Sequence, residues 1–118
     1  ARFRKAMADG ILPTSRPHVL LVLGRYSGNF QSDPREMGPF IADGLPDMAS
    51  WSICAFGYRE FDVMIEAIKN GGNCRVGFEN NLHLKDGTLA PTSADLVQQL
   101  ADACQPATRE ETLEIFAL

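Results

Sequence analysis

Positive charge is scarce in this chain, and no cluster rich in lysine or arginine occurs in it. The 15 Asp and Glu residues outnumber the 11 Lys and Arg residues, which gives a formal net charge of −4. Nucleic-acid-binding domains usually carry a basic patch, so we expect no nucleic-acid partner. No apolar run approaches the length needed to cross a bilayer, and we therefore expect no membrane partner.

Cysteine and histidine are also rare, with three and two copies in the chain. No two cysteines form a C-x-x-C pair, and Cys54 and Cys74 fall inside strand-like runs. We therefore expect Cys54, Cys74 and Cys104 to be free thiols of a protein from a reducing compartment, the cytoplasm. A disulfide between Cys54 and Cys74 is the alternative.

The overall composition of the chain is typical of one soluble globular domain. Hydrophobic residues make up 45% of the 118 residues and charged residues 22%, which is typical of such domains. Three apolar runs, 18–24, 51–57 and 74–78, are continuous rather than alternating. Such runs are typical of strands that are covered on both faces, as in a parallel sheet.

Helical patterns separate the predicted strands. Segment 33–44 opens with an Asp-Pro cap, and segment 58–69 has its apolar residues at helical spacing. Thr92 and Thr108 each have an acidic residue three positions on, which indicates the start of a helix. The predicted buried side of the last helix consists of Leu113, Phe116 and Ala117.

The predicted order is helix, strand, helix, strand, helix, strand, helix, helix. Strict alternation indicates a parallel α/β sheet, which belongs either to an open doubly wound sheet or to a closed barrel. A whole barrel needs about 250 residues. The chain also opens without Met in helix-like residues 1–8. We therefore expect that it is incomplete at its start.

Ligands of parallel α/β sheets bind beyond the carboxyl ends of the strands. After the first run, Gly24 would allow close approach to the backbone, and Arg25 and Ser27 could meet an anionic group. A plain strand–helix turn is the alternative for this segment. After the second run, Gly57 is a further candidate for substrate or cofactor binding. It precedes two polar residues in the first turn of the predicted helix, which could instead be simple surface residues.

The third run carries the most informative side chains. Because side chains alternate along an extended strand, Arg75, Gly77 and Glu79 would face one side. A salt bridge between Arg75 and Glu79 is one interpretation. The other is a carboxylate that holds a divalent metal, usually together with histidines. His18 lies at the wrong end of a strand, and His83 lies in a loop whose spacing from Glu79 fixes no geometry.

These residues resemble those of a known family, the β-keto acid cleavage enzymes. Segment 70–81 reads N-G-G-N-C-R-V-G-F-E-N-N and is similar to the family signature G-G-h-V-R-V-G-l-E-D-N. Segments 21–24, 49–53 and 107–111, together with Gly57, resemble further family segments. The resemblance covers essentially the whole chain, and the R-V-G-x-E-x-N segment with its double glycine is its specific part.

The resemblance implies a TIM (β/α)8 barrel, of which residues 1–118 would be the last three strand–helix units, with the N-terminal strands absent. It implies a Zn²⁺ held by Glu79 and by two histidines that lie outside this chain. Arg75 would position the reacting groups. The substrates would be a β-keto acid and acetyl-CoA, which exchange an acyl unit to give acetoacetate and a new CoA thioester. A cytoplasmic homo-oligomer, a tetramer, is also implied.

Asn80 departs from the family pattern, because the resemblance places the proton-accepting Asp at this position. An amide cannot act as a base near neutral pH. Either Asn80 supports catalysis with another residue as the base, or the chain is a weakened or non-catalytic member of the fold. An unrelated α/β binding module, such as a response-regulator-like domain, is a third hypothesis. It would require acidic residues after the first strand, where residues 24–26 are not acidic.

Overall fold

Three parallel strands form the centre of the computed structural model, which describes residues 2–116. Strand β1 spans His18–Leu23, β2 spans Ser50–Ala55 and β3 spans Asn73–Cys74. They lie side by side in the order β1-β2-β3, and β1 pairs with β2 along its full length. The predictions of an α/β class and of parallel, neighbouring strands are thus confirmed.

Helices connect the strands in the predicted order. Helix α1 (Arg2–Ala8) precedes β1, and a 3-10 turn (Pro34–Met37) leads into α2 (Gly38–Ala42) before β2. A second 3-10 turn (Leu45–Asp47) lies between α2 and β2. The remaining helices are α3 (Glu60–Lys69), α4 (Ser93–Ala101) and α5 (Arg109–Phe116). None of the helices among residues 2–116 is long and apolar enough to cross a membrane.

The helix starts follow the capping signals of the sequence. The Asp33 side chain accepts a hydrogen bond from the backbone N–H of Arg35, although the turn it caps is 3-10 rather than α. Thr92 and Asp95 form a complete capping box at α4. At α5 the Glu111 carboxylate accepts from the Thr108 N–H at 2.8 Å, and the Thr108 hydroxyl accepts from the Glu111 N–H at 3.2 Å. Each box satisfies N–H groups that a helix start leaves unpaired.

The core lies between β2 and α3. Ile53 and Ala55 on the strand and Val63, Met64 and Ala67 on the helix are fully buried. Strand β2 is the most buried because it pairs on both sides while α3 covers one of its faces. Burial of this apolar surface is the main favourable contribution to folding.

The buried side predicted for α5 is wrong where the structure describes it. Helix α5 has no buried residue, and Phe116 is 36% exposed. Its ring lies 5.3 Å from the ring of His18, at the amino end of β1. Ala117 lies outside the described residues. Apolar spacing located the helix but did not show whether another element covers it.

All three cysteines are free thiols, as predicted, and Cys54 is buried in the core. The alternative of a disulfide between Cys54 and Cys74 is therefore not realised. Burial raises the pKa of the Cys74 thiol to about 12. Since the thiolate is the reactive form, Cys74 is a poor nucleophile.

Strand β3 is shorter than the predicted run 74–78. It ends at Cys74, and the chain turns at 78–80 instead of continuing as a strand. Arg75, Gly77 and Glu79 therefore do not share one face of an extended strand, and that prediction is wrong. The N–H groups of Asn80 and Asn81 both donate to the Gly77 carbonyl, at 2.9 and 3.2 Å, which closes the turn.

The double glycine before β3 has two different structural roles. Gly71 ends α3 with a left-handed φ of 78°. Residues with a side chain disfavour this backbone conformation. Gly72 lacks this constraint but lies against the buried ring of Trp51. A Cβ at position 72 would come within 2.3 Å of the ring. The first glycine ends the helix, and the second lets the connection to β3 pass over Trp51.

Candidate active site

A cavity of about 370 Å³ opens at the carboxyl ends of the three strands. Its walls come from β1 and the loop after it, from the end of β2, and from the turn after β3. We call it the strand-end cavity, and its lining consists of Val22, Arg25, Phe30, Cys54, Phe56, Arg75, Glu79 and Asn80. This is where ligands of parallel α/β proteins bind.

The turn at 77–81 brings Glu79 and Asn80 to this cavity. Both residues also line a second cavity of about 260 Å³, which shares Phe30 and Phe56 with the first. The Gly57 N–H donates to the Asn80 carbonyl at 3.0 Å, which ties the turn to the end of β2. The turn begins at Gly77, two residues before Glu79.

Arg75 forms an ion pair with Glu79 at the mouth of the cavity. Both side chains are about half exposed, at 49% and 60%, so solvent screens the pair. The Arg75 guanidinium also donates to the Cys54 thiol sulfur at 3.8 Å. The predicted salt bridge is therefore present, while the part of Glu79 in metal binding stays a prediction.

Arg25 lies on the same cavity with an exposed side chain. It makes no ion pair with any other residue of the range 2–116. Since Glu79 is paired with Arg75, Arg25 contributes the uncompensated positive charge at this site. The arrangement suits an anionic ligand.

Gly24 and Ser27 have structural roles within the loop after β1. Gly24 has a φ of 78°, and a Cβ there would lie 2.9 Å from the backbone of Gln31 and Ser32. The Ser27 hydroxyl donates to the Gly24 carbonyl at 2.7 Å and accepts from the Gln31 N–H at 2.9 Å. The close approach expected at Gly24 is thus made by the chain itself. Their contact with a ligand stays a prediction.

Gly57 lines the second cavity rather than the strand-end cavity. Its φ is 92°, and the side-chain amide of Gln31 occupies the space in which a Cβ would lie. The same amide accepts from the Tyr58 N–H at 3.2 Å. Gly57 therefore allows the loop after β1 to touch the loop after β2; we call these the first and second strand-end loops, and the turn after β3 is the third.

Asn80 carries a polar group that the turn itself does not use. The residue is 8% exposed, and its Oδ1 atom has no hydrogen-bond partner among the described residues. An unpaired buried acceptor costs free energy. Asn80 also lines both cavities, so this unpaired acceptor belongs to a residue in the wall of the candidate site.

Two residues behind this turn, Glu60 and Asn81, were not among the predicted site residues. Glu60 is 1% exposed, and its Oε2 atom accepts from the Asn81 side-chain amide at 3.1 Å. Burial raises the pKa of Glu60 to about 7, against the lowering effect of the amides of Asn81 and Gly77. A Glu in the first turn of a helix is usually a surface residue, so position alone gave no signal. The terminal Asn of the family signature was the available clue for Asn81.

The residues present suit only one part of a metal site. Glu79 presents an exposed carboxylate to the cavity, an oxygen donor that Zn²⁺ accepts. Within residues 2–116, no group of three His, Cys, Asp or Glu side chains could hold a metal ion. His83 lines the second cavity together with Glu79 and does not complete such a group. The described residues could therefore contribute one ligand of a shared site.

Comparison with known proteins decides between the families that this geometry allows. The model of the β-keto acid cleavage enzymes matches residues 1–115. The chain belongs to the β-keto acid cleavage enzyme family. The resemblance seen in the signature segment is thereby confirmed, and the hypothesis of an unrelated α/β binding module is wrong.

Three curated relatives of this chain are named after an enzymatic activity. A 3-keto-5-aminohexanoate cleavage enzyme of Fusobacterium nucleatum is 31% identical over 67% of this chain and 31% of its own length. Its namesake in Acetoanaerobium sticklandii is 29% identical over 86% of the chain and 38% of its own length. A 3-oxoadipate:acetyl-CoA acetyltransferase of Cupriavidus necator is 38% identical over 75% of the chain and 31% of its own length. The chain thus spans about a third of the length of these relatives.

Proposed function

We propose that this chain is the C-terminal part of a β-keto acid cleavage enzyme whose remaining strands complete a TIM barrel. The enzyme would exchange an acyl unit between a β-keto acid and acetyl-CoA, giving acetoacetate and a CoA thioester. The observation that carries the proposal is the meeting of Arg25, Arg75, Glu79 and Asn80 on one cavity at the strand ends. The names of the relatives, a keto acid cleavage enzyme and an acetyl-CoA acetyltransferase, support the reaction type.

The two arginines have different parts in this proposal. Arg25, exposed on the cavity and without an ion-pair partner among residues 2–116, binds the substrate carboxylate. The Arg75 guanidinium, which contacts Glu79 and the Cys54 sulfur on the cavity, would orient an anionic reactant. Its planar set of donors matches the geometry of a carboxylate.

Glu79 would hold Zn²⁺ together with a histidine pair from outside this chain. Bound zinc would supply Lewis-acid polarisation of the keto and carboxylate oxygens. The exposed Glu79 carboxylate and its place on the cavity support this assignment. To bind a metal, Glu79 must share or release its contact with Arg75.

Asn80 would orient the substrate or a water molecule through its unpaired Oδ1 atom. An amide does not accept a proton near neutral pH, so another residue must serve as the base. The same observation supports a second candidate function, a weakened or non-catalytic member of the family. We also propose that the enzyme is a cytoplasmic homo-oligomer.

The proposal is tested by Glu79→Ala in the full-length enzyme. We expect the variant to lose stoichiometric zinc and acetoacetate formation, because one of few metal ligands is removed. Glu110→Ala is the matched control, since Glu110 is an exposed carboxylate on α5 with only a 4.0 Å ion pair. Elemental analysis and an acetoacetate assay check both variants. Unchanged zinc content in Glu79→Ala would reject Glu79 as a ligand.

A further inference from the structure

Glu60 is a buried carboxyl group that the proposed mechanism does not use. It stands at the start of α3 and is 1% exposed, whereas Asp62, in the same helical turn, has a side chain that is 58% exposed. An acidic residue near a helix start is favourable even at the surface. Since Asp62 already supplies this negative charge, the helix start does not explain why Glu60 is buried. Burial of a second carboxyl group costs free energy unless its contacts compensate.

The contacts of Glu60 lead to the turn that carries the site residues. Its Oε2 atom accepts from the Asn81 side-chain amide at 3.1 Å. The same amide donates to the His83 carbonyl at 2.6 Å, and the Asn81 Oδ1 atom accepts from the His83 N–H at 3.0 Å. Asn81 is therefore fixed in one orientation, with its donors directed at two acceptors.

Two attachments hold the turn directly after Glu79, one at the Asn80 carbonyl and one at Asn81. At the first, the Gly57 N–H donates to the Asn80 carbonyl at 3.0 Å. At the second, Asn81 is held by Glu60. We propose that Glu60 is a positioning residue, which acts through Asn81 to hold the 77–81 turn so that Glu79 and Asn80 face the strand-end cavity.

The contact with Asn81 requires an acceptor at position 60. A carboxyl oxygen of Glu60 can accept from the fixed donor of Asn81 whether or not the group carries its proton. Gln retains one oxygen acceptor at similar volume, whereas Leu fills the space without any acceptor. The pair Glu60→Gln and Glu60→Leu thus separates the contact from the packing.

The catalytic part of this inference rests on the proposed function, and the experiment separates the two. In the full-length enzyme we expect Glu60→Gln to keep kcat within about threefold. Glu60→Leu should lower kcat by about 100-fold, the effect of a displacement near 1 Å, with KM changed far less. Asp62→Leu is the matched control on the same helical turn and should leave kcat within about threefold, since its 3.4 Å ion pair with Arg59 is exposed.

Hydrogen exchange supplies a readout that does not depend on activity. The backbone amides of Asn80 and Asn81, which bond to the Gly77 carbonyl, should exchange faster in Glu60→Leu than in wild type and Glu60→Gln. Unchanged exchange in Glu60→Leu, or an unchanged kcat where the wild type is active, would overturn the proposal. Faster exchange in a protein whose wild type makes no acetoacetate would reject the proposed function but support the attachment of the turn. If Glu60→Leu does not fold, Asn81→Leu must show the same losses.

Discussion

Substitution of Gly72 by Ala should test the contact between the double glycine and the core. The added Cβ would lie 2.3 Å from Cη2 and 2.5 Å from Cζ3 of Trp51. Ordinary contacts between carbon atoms are about 3.5–4.0 Å, so the ring or the connection to β3 must move by more than about 1 Å. Trp51 is 3% exposed and cannot turn into solvent. We expect a loss of about 3 kcal/mol in the free energy of unfolding, at the upper end for overpacked cores.

Gly71→Ala is the matched control, because it introduces the same methyl group one residue earlier. Nothing lies within 4 Å of a Cβ at Gly71, but its φ of 78° is left-handed. Its cost of about 1–2 kcal/mol therefore comes from backbone conformation alone. Urea denaturation of the full-length enzyme measures both variants.

A smaller ring at position 51 tests whether the contact with Trp51 determines the need for glycine at position 72. In a Trp51→Phe background, space opens near the new methyl group, and Gly72→Ala should lose at least about 1 kcal/mol of its cost through coupling. Gly71→Ala should cost the same in both backgrounds, because its methyl group meets no atoms within 4 Å. A cost of Gly72→Ala that is independent of Trp51 would show that the ring contact does not determine the need for glycine.

Two further predictions concern the site itself. Asn80→Asp in the full-length enzyme places a carboxylate where the family resemblance implies the proton acceptor. If the chain is a weakened member, acetoacetate formation from β-keto acids and acetyl-CoA should rise about 10²-fold or more. A clear loss would mean that the mechanism is built around the amide, and no change in kcat or KM would exclude this position from the chemistry. The raised pKa of Glu60, about 7 against an ordinary 4.5, means that the folded protein binds this proton more tightly than the unfolded one. The protonated Glu60 therefore makes its full contribution to the free energy of unfolding below pH 4.5. This contribution, about 2 kcal/mol after allowance for screening, is lost as pH rises through 7. Urea midpoints of wild type and Glu60→Gln, compared at pH 5 and 8, should show this slope in wild type only.

Local signals predicted much of the fold, because they depend on neighbours in sequence. The capping boxes at Thr92 and Thr108 and the continuous apolar runs each identify an element by itself. Strict alternation of strands and helices then predicts parallel pairing. The end of β3 could not be predicted in this way. Gly77 accepts the two hydrogen bonds that close the turn, and the apolar run gave no sign of them.

The site was predictable in position but only partly in detail. Arg75 and Glu79 stand out as charged residues in and directly after an apolar run, and Asn80 stands out through the family resemblance; the structure places all three on one cavity. Glu60 could not be recognised, since its burial depends on the 77–81 turn packing over the start of α3. The role of Gly72 was equally hidden, because its partner Trp51 lies 21 residues earlier in the chain.

The three strand-end loops behave as one linked unit. Gln31 and Ser32 bond to the backbone at Tyr58 and Phe56, which joins the first loop to the second. The Gly57 N–H bonds to the Asn80 carbonyl and joins the second loop to the third. Loops are usually the parts that vary and are exchanged most easily between homologues. Here the transplant of a single loop from a relative would break bonds to its neighbour. Engineering of this site therefore requires that the loops be recombined as a set.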